Sequence, residues 1–319
     1  MTATQRSKKK TAKKKEPKSK AKQSGSSTGA HVEGGTVRYP KSSAKTAEKG
    51  PRKGRHRYTA ATADKHTLYQ IAVQSPEEDV EFASRVYKSL RKKRALHYRE
   101  DFCGTGLLSS HWIRQSKHHT AEGFDIDPDP VAWGLANNFE PLGEDAQRYT
   151  VHLKDVRAPG HKAPDVRVAQ NFSYCIFKTR AELLEYFTSA YKSLAKDGIF
   201  IIDLHGGPEA TEEMEEERRC GGFTYVWDQD AFWPGSGDYV CYIHFRFPDG
   251  TEMRRAFSYK WRMWYLTELR DIMHDAGFER VDAYFEGTDT DGESGNGIFR
   301  RGVRGENCES WLAYLVGVR

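Results

Sequence analysis

The stretch Leu96 to Pro128, LHYREDFCGTGLLSSHWIRQSKHHTAEGFDIDP, constrains the chain more than any other. It reads as a strand, a glycine-bearing turn, a helix and a second strand ending in acids, one half of a parallel crossover. Gly104 and Gly106 fall where a buried strand hands over to a helix, and Asp125 follows 21 residues after the first of them.

The rest of the chain keeps the same rhythm as far as Gly207. Strands are expected at about 95–101, 120–125, 149–153, 166–170 and 199–204, with a helix from about Thr105 to Ser116, one after Pro130 and one leading up to Asp197-Gly198. Such alternation implies a parallel sheet covered on both faces. Before it, Ser75-Pro76-Glu77-Glu78 is a helix start with the form of a capping box, and Phe82, Ala83, Val86, Tyr87 and Leu90 make a helical stripe. Tyr69, in a short lead-in, reads as packing, with a role over a ligand as the alternative.

After Gly207 the pattern changes. An acidic helix is expected over Pro208 to Arg219, then antiparallel strands at 223–227, 239–247 and 253–264 with a Pro248-Asp249-Gly250 turn. A helix over Thr267 to Ala276, a strand at 278–285, a Gly/Asp-rich loop at 287–297 and a last strand at 311–318 complete the chain. Trp227, Trp233, Trp261 and Trp264 read first as the core of the small sheet and second as an aromatic pocket. Arg254, Arg255 and Arg262 read as a solvated face, with anion recognition as the alternative.

Charge separates the chain into unlike parts. Residues 1–57 carry 18 Lys or Arg against three acids, whereas the whole chain is only +5, so the remainder is near −10. The tail has too few large apolar residues to offset its ordering entropy and is expected to be disordered. Its lysine runs suit a nucleic acid, an acidic partner or a nuclear import receptor, or serve as a solvated extension. No apolar run follows them, as a secretory signal would require, and no stretch approaches the ~18 apolar residues of a membrane span. Five cysteines without C-x-x-C spacing give neither a disulfide framework nor a zinc site, so no metal is expected. A cytoplasmic setting follows, or a nuclear one in a eukaryote.

In an open parallel sheet, ligands bind beyond the carboxyl ends of the strands, where the strand order reverses. Polar residues and glycines gather there: Glu100, Asp101 and Cys103 to Gly106 after the first strand, Asp125 and Asp127 after the second, and Asp155 after the third. Asn171 to Tyr174 follow the fourth, and Asp203 and His205 end the fifth. An acid at the end of strand two suits both hydroxyls of a ribose. Gly104 to Ser109 is also close to a dinucleotide fingerprint, which keeps a nicotinamide enzyme in view.

The segment Glu100-Asp101-Phe102-Cys103-Gly104-Thr105-Gly106, with Asp125 and Asp155-Val156, resembles the class I S-adenosylmethionine-dependent methyltransferases. The resemblance covers about 95–319. It implies an α/β, Rossmann-like seven-stranded sheet, mostly parallel, with helices on both faces and an antiparallel last strand. An antiparallel β subdomain inserted after strand five, at 208–264, looks like that of small-molecule N-methyltransferases. Residues 58–94 then form a lead-in and a first helix. Phe102 stands where the family usually carries its first glycine.

The resemblance further implies S-adenosylmethionine as cofactor. Glu100, Asp101, Cys103, Gly104, Thr105, Gly106, Asp125, Ile126, Asp155, Val156 and Asn171 are its candidate binding residues. The expected acceptor is a small-molecule amine or hydroxyl, positioned by Asn171 and Tyr174. His205 is the candidate base or orienting group, its ordinary pKa near ~6.5 suiting proton removal; the alternative is a turn histidine. Two other readings remain open: a methyltransferase acting on nucleic acid or protein recruited by the tail, and a non-catalytic cofactor-binding module.

Overall fold

The computed structural model describes residues 58–289 and 295–319, so the basic segment 1–57 lies outside the described residues. Two helices lead in, α1 (Lys65–Val73) and α2 (Pro76–Arg91). Then β1 (His97–Asp101), β2 (Thr120–Asp125), β3 (Tyr149–Leu153), β4 (Val166–Ala169) and β5 (Ile199–Gly206) pair in parallel, in the spatial order β3-β2-β1-β4-β5. The order reverses between β1 and β4, and the tips of those strands flank the crevice where a ligand belongs.

The helices cover both faces. The stripe of α2 buries Val80, Phe82, Ala83, Val86 and Tyr87 together with Leu108, Trp112 and Ile113 of α3 (Leu107–Arg114). On the other face, α5 (Arg180–Ser193) buries Leu183, Tyr186 and Phe187 with Leu269 and Ile272 of α6 (Leu266–Asp275). Between β2 and β3 the short helix α4 (Pro128–Gly134) starts on Asp127, whose side chain accepts from the Asp129 N–H.

A second, antiparallel sheet follows β5: β6 (Met214–Arg219), β7 (Thr224–Trp233), β8 (Asp238–Arg246) and β9 (Glu252–Arg262). Its Ile243, Phe245 and Phe247 pack on Leu68 and Ala72 of α1. The chain then returns to the large sheet as β10 (Arg280–Thr288), β11 (Gly295–Arg301) and β12 (Trp311–Val318), with β12 antiparallel between β5 and β10.

The sequence expectation of seven strands therefore needs an eighth. Part of the segment read as a loop, 287–297, is strand: β10 runs through Thr288 and β11 pairs on its outer edge from Gly295, while 290–294 lie outside the described residues. The acidic helix expected over 208–219 is a single helical turn at Pro208–Thr211 followed by β6. The glutamates there favour a helix locally. Pairing with β7 and the ion pairs of Glu215 and Glu217 with Arg246 override that preference. The lead-in is itself a helix, capped by Asp64, which accepts from the Thr67 N–H. Ser75 makes no side-chain cap, so α2 starts from Pro76 without one; a capping box is instead formed by Thr179 and Glu182 at α5.

Candidate active site

The turn after β1 alternates its backbone. Phe102, Gly104 and Gly106 all take positive φ, at 54°, 50° and 65°. A non-glycine residue in that region costs roughly 1–2 kcal/mol. Phe102 thus adopts the conformation a glycine would take, and its ring packs edge-on against Phe177 and Tyr186, with centroids 6.2 and 5.7 Å away. The two glycines differ in their reasons. A Cβ on Gly106 would lie 2.9 Å from Phe139 and from the Tyr149 hydroxyl, whereas one on Gly104 would meet nothing within 4 Å. The Gly104 backbone is open.

Asp125 closes this corner. Its Oδ2 accepts from the Gly104 N–H at 2.7 Å and its Oδ1 from the Asp127 N–H at 2.9 Å. Burial pushes its pKa up, against those N–H bonds. The carboxylate keeps acceptor capacity for a ligand. Ile126, next in the chain, is 73% exposed. Thr105 Oγ1 accepts from Gln70 Nε2 of α1 at 2.9 Å, which pins the lead-in helix to the glycine turn.

Other residues expected here have different work. Glu100 is buried on the α3 side and accepts from the N–H and hydroxyl of Ser109, at 2.8 and 2.5 Å; burial pushes it up to about 8. Asp101 points to the opposite face of the sheet. Wholly buried, it accepts from Arg99 Nε at 2.8 Å, Arg167 Nε at 2.6 Å and the Tyr186 hydroxyl at 2.8 Å. Alternation along a strand makes this unavoidable: of two successive residues, only one can face α3. Cys103 turns its buried thiol toward Gly123, where a Cβ would be 2.8 Å from its sulfur. None of these three side chains faces an open ligand site, and Cys103 offers only its backbone.

After β3, Asp155 is engaged by Arg157, Nε to Oδ1 at 2.9 Å and Nη2 to Oδ2 at 2.8 Å, and those bonds hold its pKa low. Val156 is buried, and its carbonyl accepts from both Arg99 and Arg167 at 2.6 Å.

Asn171 and Phe172 lie at the tip of β4, both left-handed at φ 57° and 55°. Their N–H groups donate to the two oxygens of Asp203, at 2.7 and 3.0 Å. Burial nevertheless pushes Asp203 up to about 7. Tyr174 is buried in the core and donates to the Asp203 carbonyl at 2.9 Å, so its hydroxyl does not reach the cavity described next.

Beyond Asn171 opens a cavity of about 930 Å³ between the ends of β4 and β5 and the small sheet. Phe172, His205, Trp227, Tyr259 and Trp261 line it, with Tyr69 of α1, Glu216 and Arg218 of β6, and Glu286 and Trp311 of the returning strands. Trp227 and Trp261 are therefore both small-sheet packing and cavity wall, Trp264 is core, and Trp233 is half exposed. Tyr69 belongs to the cavity rather than to packing alone, and burial pushes its hydroxyl up to about 12. His205 stands 4.6 Å from the Phe172 ring, its Nε2 has no hydrogen-bond partner, and burial drives its pKa down to about 4. Glu286 and Trp311 were not singled out from the sequence. They follow β5 by many residues, and only the antiparallel return brings them to its tip.

No protein-family model matches the sequence, and no curated protein matches it. Solved structures do share its fold. An amino pentose methyltransferase from Micromonospora echinaspora, solved with S-adenosylmethionine bound, aligns with a TM-score of 0.56 at 16% identity, over 79% of this chain and 95% of that one. An S-adenosylmethionine-dependent methyltransferase from Clostridium acetobutylicum gives 0.56 at 14%, over 78% and 96%. A sugar N-methyltransferase from Streptoalloteichus gives 0.54 at 17%, over 86% and 98%. The fold is thus Rossmann-like, of the type found in S-adenosylmethionine-dependent methyltransferases.

Proposed function

We propose that this chain, built on the fold of the S-adenosylmethionine-dependent methyltransferases, binds S-adenosylmethionine at the β1–β2 corner and transfers its methyl group to a small-molecule amine. The observation that carries this reading is the meeting of two unlike surfaces at the switch point of the sheet. An open glycine backbone lies beside Asp125, and a cavity with aromatic walls begins at Asn171.

The residues present fit the cofactor. Gly104 has free space where a side chain would stand, Asp125 keeps acceptor capacity, and Ile126 offers an exposed apolar surface. Gly104, Thr105, Asp125, Ile126 and Asn171 would hold it, and when bound it supplies an electrophilic methyl group on a sulfonium. The nicotinamide alternative draws no support from the aromatic cavity beyond β4.

The chain's own part is to capture and align the acceptor, which gives up its proton to solvent before transfer. Alignment of reacting groups contributes several kcal/mol, up to ~7–11 in well-oriented systems. With its pKa at about 4, His205 is neutral above about pH 5 and too weak a base to strip an ammonium. It acts by accepting a hydrogen bond from the acceptor, which replaces the general-base role its ordinary pKa suggested. The rings of Trp227, Tyr259 and Trp261 attract a cation, so an amine, captured as its ammonium, is favoured over a neutral hydroxyl; Glu216, Glu286 and Arg218 share the wall. An amino pentose methyltransferase and a sugar N-methyltransferase share the fold, in keeping with that choice.

The test is methyl transfer from radiolabelled S-adenosylmethionine to a panel of amino sugars, simple amines and hydroxyl analogues. Label should enter an amine, and His205→Ala should lower kcat/KM by about tenfold while leaving cofactor binding intact. Label entering only RNA or protein would refute the acceptor class, and full turnover of His205→Ala would remove that residue from the mechanism.

A further inference from the structure

A second polar cluster lies under the sheet, on the face that carries Arg99 and Asp101 and away from the cavity. It arises from an irregular crossover. Residues 154–165, between β3 and β4, contain no helix, although a parallel crossover usually does. The segment instead folds back onto β2, where the N–H groups of His161 and Lys162 donate to the carboxylate of Glu122 at 2.9 and 3.1 Å. Gly160 permits the approach, since a Cβ there would lie 2.6 Å from Glu122 Oε2.

The fold-back sets the His161 ring 4.6 Å from that of His152 on β3. One potential ligand atom from each of Glu122, His152 and His161 falls within 4.8 Å of the others. His152 Nε2 is 3.0 Å from Glu122 Oε2. On the other side, His97 Nε2 is 3.2 Å from Glu122 Oε1, buried and without a hydrogen bond, while its Nδ1 is fixed by Thr120 Oγ1 at 2.8 Å. The His152–Glu122 spacing is close to the ~3.3 Å edge of a tetrahedron built on metal–ligand bonds of ~2.0–2.1 Å.

We propose that Glu122, His152 and His161 bind a divalent transition-metal ion of the zinc type. Imidazole and carboxylate donors without thiolate suit zinc and cobalt. The neighbouring Arg99 cation is paired with Asp101 at 2.8 Å. His161 is exposed while Glu122 and His152 are buried, so an ion enters from the His161 side. There it clasps the crossover to the sheet in the place a helix would occupy. The site is independent of the methyl-transfer reading.

The experiment uses the full-length chain without a histidine tag, stripped with EDTA and titrated with cobalt(II). One equivalent should produce the visible bands of a four-coordinate cobalt site and be displaced by zinc. His161→Ala, at an exposed position, should weaken binding at least about tenfold with unchanged circular dichroism, and His152→Ala should do the same. A competing cluster exists on the small sheet, Glu215, Asp228 and His244, but there Glu215 is already paired with Arg246 at 2.9 Å. Absence of cobalt bands, wild-type affinity in both variants, or loss of binding in His244→Ala alone would overturn the assignment.

Discussion

Asp101→Asn separates two jobs that the carboxylate ending β1 could perform. The side chain has no exposed surface and accepts three hydrogen bonds, from two guanidinium groups and the Tyr186 hydroxyl. Asparagine keeps the volume but removes the charge, and turns an NH2 toward one of the guanidinium donors. Breaking a buried ion pair by removing one partner costs about 3–5 kcal/mol, against a typical total stability of about 5–15 kcal/mol. At about 2–4 °C per kcal/mol for a chain of this size, the midpoint of thermal unfolding should fall by about 6–20 °C. Thermal and urea unfolding followed by circular dichroism measure the loss. Calorimetry with S-adenosylmethionine, at a temperature where both proteins are folded, should show nearly unchanged affinity. A loss below about 1 kcal/mol, or a tenfold weaker cofactor with stability intact, would refute the placement of Asp101 in the structural core.

Three further outcomes follow from the same geometry. At position 102 the left-handed backbone should make Phe102→Gly more stable than Phe102→Ala by about 1 kcal/mol in urea unfolding, because alanine loses the same ring and keeps the strain. Glu100, pushed up to about 8, binds a proton in the folded chain that the unfolded chain has released. The stability it contributes is complete below the ordinary carboxylate range, near ~4.3, and is lost as pH rises through about 8. The urea midpoint should therefore fall between about pH 5 and pH 8.5 in the parent. It should fall less in Glu100→Gln, which still accepts from Ser109; an equal fall in both would be contrary to this account. Asp203, at about 7, and Asp79, at about 6, contribute to the slope that remains. Asp125→Asn, which loses charge-assisted bonds to a ribose, should weaken cofactor binding at least about tenfold in calorimetry.

The alternating part of the fold was legible because each strand is an apolar run bounded by polar tips, and the position of the glycine turn and Asp125 follows from that grammar alone. Legibility stopped where side-chain direction mattered. Glu100 and Asp101 look equivalent in sequence, yet the pleat sends one to α3 and the other to Arg99 and Arg167 on the opposite face. It stopped again where tertiary pairing outweighs local preference, as in the glutamate-rich β6. Phe102 interrupts a glycine pattern, but its consequence depends on φ, and a sequence does not display that a phenylalanine is held at 54°. The cavity was half visible: Asn171, His205, Trp227 and Trp261 could be named from strand tips and inserted strands. Glu286 and Trp311 arrive through long-range return strands that leave no local signal.

The central claim is that the corner formed by Gly104 and Asp125 binds a methyl donor. Calorimetry with S-adenosylmethionine, S-adenosylhomocysteine and NAD, run side by side on the full chain and on Asp125→Asn, tests it most directly. One-to-one binding of the first two, weakened in the variant, and none of NAD is the expected result. Binding of NAD in preference to both would contradict it.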